Sequence, residues 1–173
     1  MALLLLVCAV KAKENLPILM SVDCQDIAGK YSFFGVEKGS GRSKSFLHWH
    51  SRPALDGVEW IEIVNVHGKG KFEVSFMTLS GKSIGNVLEL DVSCIDGQWE
   101  RRRQYEGASD GTWVKGVDIW RYRRDESGAL VVTSLVASTS QYFPWFSSRP
   151  RAFQGVASFP PYKGRRLGNF NAS

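Results

Sequence analysis

Residues 88 to 106 read Leu88-Glu89-Leu90-Asp91-Val92-Ser93-Cys94-Ile95-Asp96-Gly97-Gln98-Trp99-Glu100-Arg101-Arg102-Arg103-Gln104-Tyr105-Glu106. Side chains alternate between faces along a strand. In the first arm Leu88, Leu90, Val92 and Cys94 oppose Glu89, Asp91 and Ser93. Asp96-Gly97 is the dipeptide that closes a two-residue hairpin. In the second arm one face carries Trp99, Arg101, Arg103 and Tyr105, and the other carries Gln98, Glu100, Arg102, Gln104 and Glu106. The second face is wholly polar and wants water, so the first is expected to face inward. Two arginines on an inner face are costly unless an anion answers them. That anion is either a carboxylate of the protein, such as Glu62, or a bound ligand. Stacking on Trp99 is a third way to place an arginine there.

The same reading extends in both directions. Strands are expected over 29–37, 44–51, 58–66, 71–79, 84–95, 98–106, 115–124 and 129–138, with a ninth candidate in 151–159. Turn residues separate them, among them Gly39-Ser40-Gly41, Asp56-Gly57, Ser80-Gly81 and Ser109-Asp110-Gly111. Phe72, Val74 and Phe76 share a face opposite Lys71, Glu73 and Ser75. One-sided strands at such regular spacing argue for an all-β protein, an antiparallel up-and-down barrel of about eight strands. The barrel is expected over residues 28–140. A short lead-in helix or arm (13–27) precedes it, and an irregular tail (141–173) packs on its outside or plugs one end.

Met1 to Ala12 reads as a short signal peptide: an apolar run with Val10 and Ala12 in a small-residue cleavage pattern. The run is too short to span a bilayer. A buried N-terminal strand or helix is the competing reading. With the signal, the chain enters a secretory or organelle lumen, and Cys24 and Cys94 form one disulfide. Without it the chain is cytoplasmic and both are core thiols. The net charge of +5 is concentrated late, with 12 Lys+Arg against 5 Asp+Glu in residues 101–173. A basic half suits an acidic ligand, a nucleic acid or a solvated face. The leader and the inward placement of half the arginines argue against nucleic acid.

Two family resemblances bear on these elements. Asp26-Ile27-Ala28-Gly29-Lys30-Tyr31 resembles the Gly-x-Trp opening of lipocalins and related calycins, with Tyr31 where that family has Trp. Arg103-Gln104-Tyr105 is similar to the Arg-x-Tyr pair that fatty-acid-binding proteins direct at a ligand carboxylate, which lies there in the last strand. Trp145-Phe146-Ser147-Ser148-Arg149-Pro150-Arg151, after Ala129-Leu130-Val131-Val132-Thr133, is similar to a run in the S/U-type chromophore lyases. The first resemblance implies a calycin-like barrel that binds or carries a small apolar ligand bearing an acid. The second implies a barrel that holds an open-chain bilin and attaches it to a phycobiliprotein.

The candidate ligand-binding residues are Trp99, Arg101, Arg103 and Tyr105, joined by Arg121 and Arg123 from the next strand and by the wall aromatics Trp60, Phe72 and Phe76. A guanidinium binds a carboxylate through paired, charge-assisted hydrogen bonds, and aromatic walls bury the apolar body. No cofactor is required by the sequence, although a bilin or another acidic apolar ligand fits this chemistry. His48-Trp49-His50 is a weak metal candidate, since a strand would point both imidazoles the same way. No Gly-x-Ser-x-Gly elbow, paired carboxylates or phosphate loop marks a catalytic site. A basic interaction module without a small ligand is the third reading.

Overall fold

The computed structural model describes residues 23–50, 55–66, 70–109, 112–142, 146–147 and 150–164. Among them there is no α-helix, and therefore none long and apolar enough to cross a membrane. The strands are β1 (Gly29–Ser32), β2 (Phe34–Glu37), β3 (Ser43–Ser45), β4 (Trp60–Val66), β5 (Lys71–Met77), β6 (Leu88–Asp91), β7 (Ser93–Ile95), β8 (Gln98–Ser109), β9 (Thr112–Arg124), β10 (Leu130–Tyr142), β11 (Phe146–Ser147) and β12 (Arg151–Phe159). All are paired antiparallel in two sheets, a small one in the order β1-β4-β5-β6 and a large one in the order β3-β2-β12-β10-β9-β8-β7, with β11 beside β10.

The ladders do not close into one barrel. The expected strand over 29–37 breaks at Phe33, and the one over 84–95 breaks at Val92. Each break marks where the chain leaves one sheet for the other. Phe33 donates its N–H to Glu59 O (3.0 Å), while its carbonyl accepts from Phe46 N (2.8 Å). Val92 N donates to Gly70 O (2.7 Å). Both side chains are buried, so the two crossings are pinned by apolar burial and by backbone bonds to loops.

The Asp96-Gly97 hairpin forms as read, with φ of 50° and 73°, the paired positive values that a tight two-residue connection needs. Three other segments compare differently with expectation. Residues 46–50 form a 3-10 helix instead of continuing a strand, because Ser45 Oγ accepts from His48 N (3.2 Å) and turns the chain. The ninth strand candidate, 151–159, forms as β12; it lies between β10 and β2, so this part of the segment expected as an irregular tail belongs to the large sheet. In the lead-in segment, residues 23–28 carry no regular structure, and its earlier part and Met1 to Ala12 lie outside the described residues.

The core fills the space between the sheets. Phe72, Val74, Phe76, Leu88 and Leu90 enter from the small sheet, and Trp120, Tyr122, Leu130, Val132, Ala157 and Phe159 from the large one. Phe46, Leu47 and Trp49 of the 3-10 helix pack between them. Each such large apolar side chain stabilises the fold by roughly 1.5–3 kcal/mol. Cys24 and Cys94 are joined in a disulfide, with their Cα atoms 5.7 Å apart. It fastens the lead-in to β7, and Trp99 Nε1 adds a bond to Gln25 O (2.8 Å). The bridge spans 70 positions, for which loop closure gives about 4 kcal/mol. Reducing it, or substituting Cys24→Ala, is therefore expected to lower the melting temperature by on the order of 10 °C in a scanning calorimeter.

Candidate functional site

Register assigns the arginines. Across the large sheet Arg101 is opposite Trp120, Trp120 opposite Ser134, and Ser134 opposite Gly155. The next row outward from the core is Arg103, Asp118, Val136 and Phe153. These rows continue the inner, core-facing surface, so Arg101 and Arg103 do lie on the inner face. Arg121 is opposite Glu100 and Arg123 opposite Val131, one residue out of step, and that puts both on the outer face. The expectation that Arg121 and Arg123 share a wall with Arg101 and Arg103 is thus corrected by the pairing register: a one-residue offset reverses every side chain.

On the inner face a protein carboxylate has reached one of the two arginines. Asp118, buried, accepts from Arg103 through Nε (3.1 Å) and Nη2. The Arg103 guanidinium also lies over the Trp120 and Tyr105 rings, at 5.4 and 5.9 Å from their centroids. The acceptor is Asp118, one strand away, and not Glu62, which forms an ion pair with Lys30 (3.8 Å). Arg101 lies 4.9 Å over the Trp120 ring. Half-buried, it has no carboxylate partner among the described residues.

The outer face hides a feature that alternation alone does not reveal. Glu100 stands in the polar row, yet its side chain is only 2% exposed. It is covered by two cations: Arg121 Nε (2.9 Å) and Arg102 Nη2 (3.1 Å) each donate to one of its oxygens. Arg102 and Arg121 are therefore neutralised structural partners.

The remaining sequence candidates separate cleanly. Trp99 packs edge-on against Phe72 (5.0 Å). Phe72 and Phe76 are sealed in the core, so neither lines an open cavity. Trp60 alternates with core-facing Ile61 and stacks on Tyr162 (5.2 Å), beneath Lys30. It belongs to the other face of the small sheet, away from the arginines.

The His pair does not form a metal site. A 3-10 turn sends the two rings in different directions: His48 is exposed and His50 is buried. His50 Nδ1 donates to Phe46 O (2.9 Å), and a carbonyl can only accept, so Nε2 accepts from Tyr122 OH (2.9 Å). Burial pushes the Tyr122 hydroxyl far above its ordinary range, against a weaker opposing pull from Arg101, so it remains a donor. Among the described residues no group of three His, Cys, Asp or Glu is placed to hold a metal.

Sequence reasoning missed what surrounds the Arg101 row. Trp120 Nε1 donates to Trp49 O, which docks the 3-10 helix on β9. The outer edge of the Trp49 ring lies against Gly155, where an added Cβ would come within 2.7 Å of it. Only glycine leaves room for that approach. Trp49, Trp120, Ser134, Val136, Phe153 and His48 frame a cavity of about 140 Å³. The pairing of Gly155 with Ser134 was the one signal in reach, and it needed the strand order. A wider cleft of about 620 Å³ lies further along β8–β10, beside Gln104, Lys115, Val117 and Ala137.

Comparison with known proteins finds no matching family model, no matching curated protein and no matching solved structure. In the run at Trp145 that resembles the chromophore lyases, Trp145, Ser148 and Arg149 lie outside the described residues, while Phe146 and Ser147 pair with β10 and Arg151 begins β12.

The Arg103–Asp118 pair has one buried member and one half-exposed member. Asp118→Asn is expected to cost about 1–2 kcal/mol in urea unfolding, less than a fully buried pair would. The double variant Arg103→Met/Asp118→Leu is expected to recover most of that loss, since no unpaired charge remains.

Proposed function

We propose that the protein binds a small, largely apolar ligand carrying an acidic group, held on the inner face of the large sheet beyond the packed core. One observation carries the reading. Of Arg101 and Arg103, Arg103 is answered by Asp118 and Arg101 is not answered by any described carboxylate; the other two arginines in the inner rows stand at the ends of the sheet, Arg124 held by Ala28 O and Tyr31 OH and Arg151 opposite Ser138. Trp120 holds Arg101 in place from beneath, so its donors are pre-positioned and need little ordering on binding. Val136 and the exposed Phe153 ring in the neighbouring row give an apolar surface for the body of the ligand.

This reading moves the site. Phe72 and Phe76 stabilise the core and do not touch the ligand, and Arg121 and Arg123 are left out. Tyr105, against Gly116, borders the far end of the platform. Two antiparallel sheets joined where the chain crosses at Phe33 and Val92 are compatible with a calycin-like arrangement that does not close. The Cys24–Cys94 bridge supports an oxidising compartment reached through an N-terminal leader. Bilins, fatty acids and retinoid acids all have the required chemistry. Attachment of a bilin to a phycobiliprotein has no separate support in the geometry.

Titration with a long-chain fatty acid, followed by tryptophan fluorescence, tests the reading, and a bilin followed by its absorbance tests the same site. Arg101→Met is expected to weaken binding by at least about tenfold, the scale of one charge-assisted contact. Arg121→Met on the outer face is expected to leave affinity unchanged. Equal affinities for wild type and Arg101→Met would overturn the proposal.

A further inference from the structure

We infer that this protein pairs with a second copy of itself through the open edge of β8, as a two-fold dimer whose large sheets run on as one. The inference stands on the strand ladder and not on the ligand reading above.

β8 is longer than its outer neighbour. β7 pairs only with Gln98, Trp99 and Glu100, whereas β9 pairs with β8 from Trp99 to Ser109. Among the described residues no strand lies along the other side of Arg101 to Ser109, and no backbone hydrogen bond reaches it. Arg102, Arg103, Gln104, Glu106, Gly107 and Ala108 are exposed. The unused backbone groups can be assigned. Ile95 and Gln98 flank the two-residue Asp96-Gly97 turn, so they exchange both backbone bonds, and so do Ser93 and Glu100. Even-numbered residues of β8 therefore aim their N–H and C=O away from β9. Beyond β7 those of Arg102, Gln104, Glu106 and Ala108 have no ladder partner among the described residues. An exposed row of this kind is a template for another strand.

Charge and space select the occupant and the register. The edge is basic at Arg101-Arg102-Arg103 and carries only Glu106 as a charge from Gln104 to Ser109, so it suits its own reverse. A two-fold axis normal to the sheet pairs the strands antiparallel and keeps both inner faces on one side. Centred on Arg102 or Arg103, the pairing sets arginine on arginine, and centred on Glu106 it sets carboxylate on carboxylate, both unfavourable. Centred on Gln104, it drives Ala108 of the second copy to the place opposite Glu100 that Ser93 already holds. Centred on Tyr105, it fills the open length from end to end, with Arg101 opposite Ser109. Arg102 then faces Ala108, Arg103 faces Gly107, and Gln104 faces Glu106, whose carboxylate accepts from the amide. The even-numbered pairs make about eight backbone hydrogen bonds.

Gly107 is an independent sign. It sits inside β8 without a positive φ, and an added Cβ would meet nothing within 4 Å. Glycine weakens a strand interior and often marks the close approach of another backbone. No described contact within one copy asks for it. In the dimer it lies opposite Arg103 in a pair that is not hydrogen-bonded, where Cα atoms come to about 4.5 Å and side chains are closest.

Sedimentation velocity on the full chain, from about 1 to about 100 µM, tests the inference. Wild type is expected to pass from monomer to dimer and to grow no further. Gln104→Pro removes an outward N–H, which an edge position tolerates, and is expected to weaken the dimer at least about tenfold. Gly107→Val is expected to do the same and to leave the melting temperature of the dilute protein unchanged or raised, since its site is open in one copy. It keeps the test decisive where the proline variant does not fold. Oxidative cross-linking reads the register. Tyr105→Cys is expected to join two copies, because that residue lies on the axis, and Gly107→Cys is not, because its two positions stand about 14 Å apart. A chain that stays monomeric overturns the inference, as does growth beyond the dimer or a dimer of wild-type strength in both Gln104→Pro and Gly107→Val. Cross-linking through Gly107→Cys and not through Tyr105→Cys overturns the register.

Discussion

The docking of a short 3-10 helix on strand β9 organises this molecule. Trp120 Nε1 donates to the carbonyl of Trp49, and the next residue of the helix, His50, accepts from Tyr122 OH. His50 also stacks on both rings, at 5.8 Å from Trp120 and 6.1 Å from Tyr122. These polar links are fully inside the protein, where a bond is strong and an unmade one is costly. They hold Phe46, Leu47 and Trp49 between the sheets. The interior that a calycin-like reading would leave for a ligand is occupied by the protein's own chain. On the proposed reading the ligand site is pushed outward along the inner face, to the end of the row that the helix covers only in part, since Trp49 and His50 lie on Gly155 and Trp120. That row contains Arg101.

The arginines show how far alternation goes and where it stops. The split of residues 98–106 into an inner aromatic–cationic face and an outer polar face follows from the period of a strand, and the structure keeps it. What each cation meets depends on the neighbouring strand, and that depends on register. Arg103 meets Asp118, while Arg102 and Arg121 converge on Glu100. No local pattern announces these partners, which lie 15 and 21 residues away for Asp118 and Arg121. Trp120-Arg121-Tyr122-Arg123-Arg124 was legible as two faces, but the choice of which face joins Arg101 turned on a single step of offset.

Other parts of the fold divide along the same line. The antiparallel all-β class, nearly all of the strand positions and the Asp96-Gly97 hairpin were readable, because each rests on local periodicity or turn chemistry. The Cys24–Cys94 bridge was readable only as one of two alternatives, a disulfide or two core thiols, because the choice hung on a leader at Met1 to Ala12 that lies outside the described residues. Closure was not readable. Strands 29–37 and 84–95 look continuous in sequence, and they are continuous as chain, yet each serves two sheets. The hydrophobic alternation is the same whether a strand stays in one sheet or bends into another. His48-Trp49-His50 failed for a related reason: Ser45 at the start of the turn overrode a pattern that suited a strand.

A filled core and a neutralised outer face together restrict what the molecule offers to a partner. Glu100, Asp118 and Glu62 spend their charge on arginines and lysine within the fold. The late excess of positive charge is consequently less available than its count suggests, since Arg102, Arg103 and Arg121 are each answered in place. Arg101 differs because Trp120 supports it without neutralising it. A π-face attracts a guanidinium but leaves its in-plane donors and its full charge outward. An arginine paired with a carboxylate stabilises a sheet. The same residue laid on a tryptophan stays competent to bind an anion, and the difference lies in whether the residue across the ladder is Asp118 or Trp120.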